Sequence, residues 1–349
     1  MVASRALYGL FCPLGRASCL SAMTTFLSGI QPSGLQHLGN YFGAIRQHIL
    51  GTEEPGDHFY FIADYHALTT SRDPEVLRER VRETAVTYLA LGLDPAKASL
   101  FRQSDVPEVT EIAWLLSTVT GMGLLERAHS FKDKMTRGLK ANVGLFTYPI
   151  LMAADILAYE SNVVPVGKDQ VQHVEMAQDM AGYFNGAYGD VFVRPEYKLA
   201  AEAVFAKVPG LDGDKMSKSY GNTIPIFQTG KQLKKLFGKI KTDSRDPEEP
   251  KDPAEILPMR FLELFLPAAQ LREWEERVRT GGEGAPGYGE LKMAAYEAME
   301  ETFAPARAKR EELLANPEAL EEVLMAGAAK ARERAARVRD RALQACGLK

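Results

Sequence analysis

Two lysines and two serines share one short stretch of the chain, Lys215-Met216-Ser217-Lys218-Ser219. Glycines lie on both sides of it, which predicts a loop. Ammonium groups on a loop of this kind suit a polyphosphate whose charge moves during a reaction, because they can close over it and then let go. We therefore expect Lys215 and Lys218 to contact phosphate.

A second stretch suited to phosphate lies near the N-terminus and reads Ser28-Gly29-Ile30-Gln31-Pro32-Ser33-Gly34-Leu35-Gln36-His37-Leu38-Gly39-Asn40. A short apolar run precedes it, and residues 41–46 after it have helical spacing. This order predicts a strand, a glycine-bearing turn and the first turn of a helix. Such a turn directs backbone N–H groups and the positive end of the helix at an anion. Together, the two separated stretches indicate one nucleotide site.

The residue patterns of both stretches resemble those of a known family. His37-Leu38-Gly39-Asn40 resembles the HIGH element of class I aminoacyl-tRNA synthetases, and residues 215–219 resemble their KMSKS loop. The turn is similar to that of the bacterial-type tryptophanyl-tRNA synthetases, and the resemblance runs from about residue 23 to the C-terminus. It implies a ligase that activates L-tryptophan with ATP, releases pyrophosphate and transfers the tryptophanyl group to tRNA(Trp). It also implies a homodimer, Mg²⁺ held mainly through the ATP phosphates, and neither a protein-bound metal nor an iron–sulfur cluster.

The resemblance implies an ATP site in this chain. Gly39 would leave room for the nucleotide, and a strand-to-helix turn over residues 164–170 matches the family's Gly-x-Asp-Gln element. The implied catalytic residues are Lys215, Lys218 and Lys134. The implied ATP contacts are Gln31, Pro32, Ser33, His37, Gly39, Asn40, Gly167, Lys168, Asp169, Val208, Lys215, Met216, Ser217, Lys218 and Ser219.

An amino-acid pocket is predicted on residues 147–159, a helical pattern that we expect to open at Thr147 and Pro149. Tyr148, Met152 and Asp155 fall on one face of it. A carboxylate on an apolar stretch is costly to bury without a donor, and an indole N–H is such a donor. By resemblance Asp155 takes that bond, although pairing with a core arginine is the structural alternative. The implied tryptophan contacts are Asp155, Tyr148, Met152, Gln170, His66, Val164 and Val166.

Three positions depart from the commonest pattern of the family. Leu27 replaces a frequent Phe, Lys168 occupies an often acidic position, and Tyr220-Gly221 follows the loop where Asp-Pro is often found. None of these changes removes a group that the chemistry needs. They are expected to affect ATP affinity or loop kinetics.

The elements that must position these residues follow from hydrophobic patterning. Short apolar runs alternate with amphipathic stretches from residue 25 to about 210, which predicts an α/β fold with a Rossmann-type, doubly wound parallel sheet. Beyond residue 222 the pattern predicts an all-helical domain with no strand after about residue 227. The predicted strands include 59–63, 98–101, 163–166 and 191–193. The predicted helices include 74–93, 107–120, 169–184, 254–274, 290–314 and 317–345.

Three segments are expected: an N-terminal extension (1–22), a catalytic domain ending in the lysine-rich loop (23–222), and a helical anticodon-binding region (223–349). The extension holds arginines and serines and no acidic residue, which fits either a transit peptide or a translation start placed too early. We favour the second interpretation. It places the protein in the cytoplasm; the first would place it in a mitochondrion or plastid.

Composition sets limits on other functions. The 349 residues are 46% hydrophobic and 25% charged, with a net charge of -4, which describes an ordinary globular protein and favours no RNA partner by itself. Three cysteines, Cys12, Cys19 and Cys346, fit neither a zinc site nor a disulfide framework. No apolar run reaches the roughly 18 residues of a membrane span.

Two basic clusters are candidates for contact with RNA. One comprises five lysines between residues 231 and 241, and the other is the last 21 residues, which carry seven Lys or Arg against two acidic side chains. Basic clusters on helices attract phosphate backbones, but an ordinary solvated helix is the alternative for each.

Three other functions were weighed. A tyrosyl-tRNA synthetase shares the fold and motifs, but its pocket typically presents a tyrosine hydroxyl with an aspartate to a phenol. An RNA-binding protein derived from a synthetase would be expected to lose a lysine of the loop or the Gly39-Asn40 turn, and both are present. A small adenylyltransferase would not need the helical C-terminal half.

Overall fold

A computed structural model describes residues 23–128, 142–167, 170–199 and 208–349. Five strands form one sheet in the order β3-β2-β1-β4-β5, and all neighbouring strands are parallel. They are β1 (Thr25–Ile30), β2 (Asp57–Ile62), β3 (Ala98–Arg102), β4 (Val163–Val166) and β5 (Glu196–Leu199). The strand order reverses between β1 and β4, which is where doubly wound sheets bind ligands at their carboxyl edge. The predicted Rossmann-type sheet is confirmed.

Helices cover both faces of the sheet and make up the C-terminal region. Before residue 200 they are α1 (Leu38–Asn40, continued by a π-helical turn over Tyr41–Ile45 and by Arg46–Gly51), α2 (Asp64–Ala67), α3 (Pro74–Ala90), α4 (Glu108–Val119), α5 (Met122–Glu126), α6 (Val143–Ala158) and α7 (Val171–Tyr188). After residue 208 they are α8 (Gly230–Gly238), α9 (Leu257–Phe265), α10 (Ala268–Thr280), α11 (Tyr288–Ala315) and α12 (Pro317–Ala345). Residues 208–349 contain helices and no strand, as predicted.

The predicted strand at 191–193 is wrong. The side-chain oxygen of Asn185 accepts the backbone N–H groups of Val191 and Phe192, at 3.1 and 2.9 Å, so this stretch bonds to α7 and not to the sheet. The Phe192 ring packs on Phe184, with ring centroids 4.8 Å apart. The edge strand begins only at Glu196, and every residue of it is exposed, so it lacks the apolar alternation by which a strand is recognised.

Two predicted helix boundaries are also wrong. The helix proposed for 254–274 is broken, because α9 ends at Phe265 and α10 begins after Pro267, whose ring cannot continue a helix. The helix proposed to open at Thr147 begins four residues earlier, at Val143. Its cap is Asn142, whose side chain accepts the Leu145 N–H at 2.8 Å.

The last helix packs on the edge of the sheet. Gly327 of α12 lies directly on β3, and a Cβ built there would be 2.2 Å from the carbonyl oxygen of Leu100. The basic side chains of α12 and the C-terminus form ion pairs, and these residues are Arg332, Arg334, Arg337, Arg339, Arg341 and Lys349. Their carboxylate partners include Glu108, Asp57 and Glu160. This pairing attaches α12 to the sheet and argues against the expected role of this cluster in binding RNA.

A second core joins the helical region to the site. Leu38 and Phe42 of α1 pack in one cluster with Met216 and with residues of α8, α9 and α11, among them Phe237, Phe261 and Phe303. The boundary expected after residue 222 therefore crosses a continuous hydrophobic cluster, and the division into domains stays a prediction. Among the described residues, no helix is both long and apolar enough to cross a membrane.

Replacing Gly327 by alanine should lower the free energy of unfolding by about 1–3 kcal/mol, because the new methyl group meets the Leu100 backbone. Gly182 of α7 is the matched control: nothing lies within 4 Å of a Cβ there, so alanine should raise stability by about 0.5–1 kcal/mol. Urea unfolding of the two variants measures both effects. Equal gains in stability would contradict the close approach of α12 to β3.

Candidate functional site

The two phosphate-type stretches meet at the carboxyl edge of the sheet. Residues 31–40, which follow β1, are called the N-terminal turn. Residues 215–219 are called the lysine loop. Lys218 Nζ donates to the Ser33 carbonyl oxygen at 2.8 Å. The Gly39 N–H donates to Met216 Sδ at 3.4 Å, across 177 positions of sequence. The lysine loop is thus closed over the N-terminal turn.

Gly39 is placed where this contact leaves little room for a side chain. A Cβ there would be 3.0 Å from the His37 ring and 3.3 Å from Met216 Cβ. Both neighbours are buried, so neither can move away easily. Gly39 therefore allows the close approach of the lysine loop to the start of α1.

Asn222, which the sequence analysis did not single out, organises the lysine loop. It is buried, and its side-chain oxygen accepts the Ser217 N–H at 2.8 Å, while its amide nitrogen donates to Asp212 Oδ1 at 2.8 Å. Gly210 lies against it, because a Cβ at Gly210 would be 2.2 Å from the Asn222 amide. Asn222 thus bonds the backbone of the lysine loop to the turn that precedes it.

Burial lowers the pKa of two basic side chains in the cleft, His37 and Lys218. Burial, and then the charge of Lys218, lower the pKa of His37 to about 4. His37 is therefore neutral near pH 7 and can donate a single N–H without carrying charge. Its Nδ1 atom is buried with no hydrogen-bond partner in the described part of the chain, which leaves it open to a ligand. Partial burial, and then the charge of Arg80, lower the pKa of Lys218.

The other predicted nucleotide contacts lie in several places. Asn40 Oδ1 accepts the His37 N–H at 3.1 Å, Val208 accepts the Met216 N–H at 3.1 Å through its carbonyl oxygen, and Gly167 directly follows β4. The remaining predicted contacts that the structure describes belong to the N-terminal turn or the lysine loop, and they are Gln31, Pro32, Lys215, Ser217 and Ser219. Lys134, Lys168 and Asp169 lie outside the described residues.

Asp155 of α6 is a fully buried carboxylate, 0% exposed. His66 Nε2 lies 2.9 Å from Asp155 Oδ2, and the side-chain nitrogen of Gln103 donates to both carboxylate oxygens at 2.9 Å. Burial raises the pKa of Asp155, whereas the bonds from His66 and Gln103 lower it. Within the described residues its partners are these two side chains, so the alternative of a core arginine finds no support.

A hydrogen-bonded chain lies beside this carboxylate. Gln170 Oε1 can only accept, so the N–H of His173 at Nδ1 donates to it at 2.8 Å. His173 Nε2 must then accept the Tyr148 hydroxyl, also at 2.8 Å. Burial raises the pKa of Tyr148 to about 12, which keeps this hydroxyl protonated. These bonds fix the orientation of the Tyr148 ring, which packs edge-on against the His66 ring.

A cavity of about 380 Å³ opens next to these groups, and its lining includes Tyr65, His66, Thr69, Arg72, Thr147, Tyr148 and Leu151. Asp155 does not line it, because His66 stands between the cavity and the carboxylate. Met152 and Val166 are half-buried and Val164 is buried, and all three pack in the same hydrophobic cluster around α6 and the sheet.

The cavity and the nucleotide cleft share one edge of the sheet. The last residues of β1 and β2, Ile30 and Ile62, are paired in register. The N-terminal turn follows the first strand, and the turn that bears His66 follows the second. Gln103 follows β3 in the same way. A polar residue directly after a strand can be recognised in the sequence. The sequence does not show, however, that Gln103 pairs with Asp155, 52 positions away.

Comparison with known proteins reveals close relatives. The sequence profile of the family described as "tRNA synthetases class I (W and Y)" matches residues 21–304. A tryptophan–tRNA ligase of Rhodopirellula baltica is 57% identical over 323 residues, which are 93% of this chain and 99% of that protein. A tryptophan–tRNA ligase of Campylobacter jejuni is 49% identical over 307 residues, covering 88% of this chain and 94% of that one.

Solved structures show the same relationship. The crystal structure of tryptophanyl-tRNA synthetase from Campylobacter jejuni, complexed with ADP and tryptophan, superimposes with a TM-score of 0.87 at 47% identity, covering 93% of this chain and all of that one (100%). A tyrosyl-tRNA synthetase from Archaeoglobus fulgidus matches with a TM-score of 0.60 at 18% identity. At that level only the fold is shared.

Replacing Gly39 by alanine should release the lysine loop, because the methyl group would press on the His37 ring and on Met216. Backbone amides of the lysine loop should then exchange hydrogen about tenfold faster. Gly43, one turn further along α1, is the control, since nothing lies within 4 Å of a Cβ there. Indistinguishable exchange in the two variants, followed by mass spectrometry, would argue against the contact.

Proposed function

The chain belongs to the class I tryptophanyl-tRNA synthetases and joins L-tryptophan to tRNA(Trp) by way of tryptophanyl-adenylate, and we propose how its residues divide that work. The observation that carries the proposal is the closure of the lysine loop over the N-terminal turn, beside a buried carboxylate at the same edge of the sheet. The closed lysine loop supports a nucleotide cleft. The buried carboxylate supports a pocket for a ring that donates one hydrogen bond.

In the first step, a carboxylate oxygen of tryptophan attacks the α-phosphorus of ATP. The bond to the bridging oxygen breaks, and pyrophosphate leaves with its electron pair. Such a displacement needs no protein nucleophile, and the protein contributes positioning and charge stabilisation. We assign Lys215 and Lys218 to the charge that builds on the phosphates, with Lys134 as a further candidate. The neutral imidazole of His37 would donate its N–H to a phosphate oxygen.

The rest of the ATP molecule would lie along backbone at the strand ends. The N-terminal turn would contact it through Gln31 to Ser33, Gly39 and Asn40, while Asp169 would accept from the ribose hydroxyls and Val208 would meet the adenine. Mg²⁺ would enter with the phosphates and neutralise part of their charge. In the described part of the chain, no group of three or more His, Cys, Asp or Glu is arranged to hold a metal.

Tryptophan would occupy the cavity beside His66. We assign the indole N–H to Asp155 and the face of the ring to Met152, with Val164 and Val166 behind it. The Tyr148 hydroxyl and the Gln170 side chain would lie near the ammonium group, in the orientation that their bonds to His173 give them. A phenol hydroxyl both donates and accepts, whereas an indole N–H only donates, which suits a carboxylate that only accepts.

The second step needs a surface for tRNA, and α8 offers one. Leu233 and Phe237 face the core, while Lys231, Lys234 and Lys235 on α8 and Lys239 and Lys241 just after it are exposed. None of these lysines forms an ion pair with a described residue, in contrast to the arginines of α12. Unpaired lysines along one helix face are suited to a phosphate backbone. We propose that this face contacts tRNA(Trp).

Three further points are proposals that rest on relationship. The family resemblance supports a homodimer. The bacterial origin of the close relatives supports a cytoplasmic location. The continuous core between α1 and the helical region supports a catalytic half and a tRNA-binding half that move together.

The protein should catalyse ATP–pyrophosphate exchange with tryptophan and not with tyrosine. Replacement of Asp155 by alanine should raise the KM for tryptophan about 100-fold or more, because the buried indole N–H loses its acceptor. The KM for ATP should change less than about threefold, since no bond of Asp155 reaches the nucleotide cleft. The Asp155→Asn variant keeps the volume and one acceptor, and should lie between. An unchanged KM for tryptophan in Asp155→Ala would falsify the pocket assignment.

Reversing charge at Lys234 and Lys235 together, to glutamate, should lower kcat/KM for tRNA about tenfold or more and flatten its salt dependence, because phosphate contacts are lost. ATP–pyrophosphate exchange should stay at the wild-type rate.

The control is Arg272→Glu with Arg279→Glu on α10, which changes the net charge equally at exposed positions of another helix. Aminoacylation kinetics at several salt concentrations give the comparison. Equal losses in the two double variants would mean that net charge, and not the α8 face, determines binding.

A further inference from the structure

Gln103 is a fully buried polar side chain, 0% exposed, in the 3₁₀ turn Gln103–Asp105 directly after β3. Its side-chain nitrogen donates to both oxygens of Asp155 at 2.9 Å. Its Oε1 atom accepts the backbone N–H groups of Tyr65 and His66, at 3.1 and 3.4 Å. One amide thus joins the selecting carboxylate to the turn that carries its other donor.

These contacts fix the direction of the Gln103 amide. If the amide were flipped, its NH₂ group would face two backbone N–H groups and its oxygen would face a carboxylate. Four favourable contacts would become unfavourable, so Gln103 can act toward Asp155 only as a donor. It does so without charge, unlike the arginine that commonly pairs with a buried carboxylate.

The bonds are unevenly distributed over the two carboxylate oxygens. Oδ2 of Asp155 takes one bond from Gln103 and one from His66, whereas Oδ1 takes one from Gln103. A carboxylate oxygen has capacity for about two such bonds. Among the described residues, Oδ1 therefore has a lone pair left for one more donor.

We propose that Gln103 is a positioning residue for amino-acid selection: it holds Asp155 as an acceptor directed at the indole N–H, and it couples that carboxylate to the His66 turn. The inference rests on the proposed function, in particular on Asp155 as the acceptor of the indole bond. A glutamine that only connected α2 to the end of β3 would leave the preference for an indole ring unaffected. The two roles therefore differ in a preference that can be measured.

The test compares L-tryptophan with its benzothiophene analogue, in which sulfur replaces the ring N–H, in ATP–pyrophosphate exchange. The wild-type enzyme should prefer tryptophan in kcat/KM by about 100-fold or more, because the analogue leaves the acceptor unpaired. In Gln103→Met, which keeps the length and removes the donor, this preference should fall at least about tenfold, with the KM for ATP within about twofold.

Gln178 provides a matched control, because it is also a buried glutamine with both ends of its amide bonded, to the Pro195 carbonyl oxygen and to Arg194. Gln178→Met should lower stability and leave the preference for the indole ring unchanged. A preference in Gln103→Met equal to that of the wild type would overturn the inference. Absence of exchange with tryptophan in the wild type, or no wild-type preference over the analogue, would instead overturn the proposed function.

The Gln103→Glu variant serves if Gln103→Met does not fold. A glutamic acid retains the acceptor for the Tyr65 and His66 amides, and it donates to Asp155 only while it is protonated. The titratable groups that face this pair are His66, Asp64 and Tyr159. The KM for tryptophan should therefore rise with pH in this variant relative to the wild type, and a parallel pH profile in the two proteins would count against Gln103 as the positioning donor.

Discussion

A carboxylate without exposed surface is costly to bury, and that of Asp155 constrains the site around it. Its donors come from two different strand ends, His66 after β2 and Gln103 after β3, while Asp155 itself lies on α6. The sheet and the helix must therefore keep their relative position for the carboxylate to remain bonded. Among the described residues, the donors to this carboxylate are an imidazole and an amide and not an arginine. The cost of burial is thus offset in a way that favours recognition.

The nucleotide cleft depends on a different constraint, which is close backbone approach. Gly39 allows Met216 to reach the start of α1, and Gly210 allows Asn222 to reach the base of the lysine loop. Met216 is at the same time part of the hydrophobic cluster that α8, α9 and α11 share with Leu38 and Phe42. Movement of the lysine loop is therefore coupled to the packing of the helical region. A change in the position of this loop is therefore expected to shift α8, α9 and α11.

The sequence predicted the features that depend on local pattern and missed those that depend on distant partners. The parallel sheet and the helices α3, α7 and α12 follow from periodicity, and the two nucleotide segments follow from motif wording. Gln103 and Asn222 were not identified, because a single polar residue in a turn has no signature until its partner is known. The strand at 191–193 failed for the same reason: Asn185 takes the backbone amides that a sheet would otherwise use. Helix α6 was placed too late, since Pro149 resembles a first-turn proline while Asn142 is the cap.

Basic clusters illustrate how three-dimensional context decides a role that composition leaves open. The lysines of α8 and the arginines of α12 look equally suited to RNA in the sequence. In the fold, Arg332 meets the buried Glu108, Arg334 meets Asp57 at the start of β2, and Arg341 meets Glu160 at the end of α6. Removing such an arginine would weaken the pairing of its carboxylate, and for Glu108 that carboxylate is buried. The arginines of α12 therefore help to attach the last helix to β2, α4 and the end of α6, whereas no ion pair joins the lysines at 231–241 to another residue in the described part of the chain.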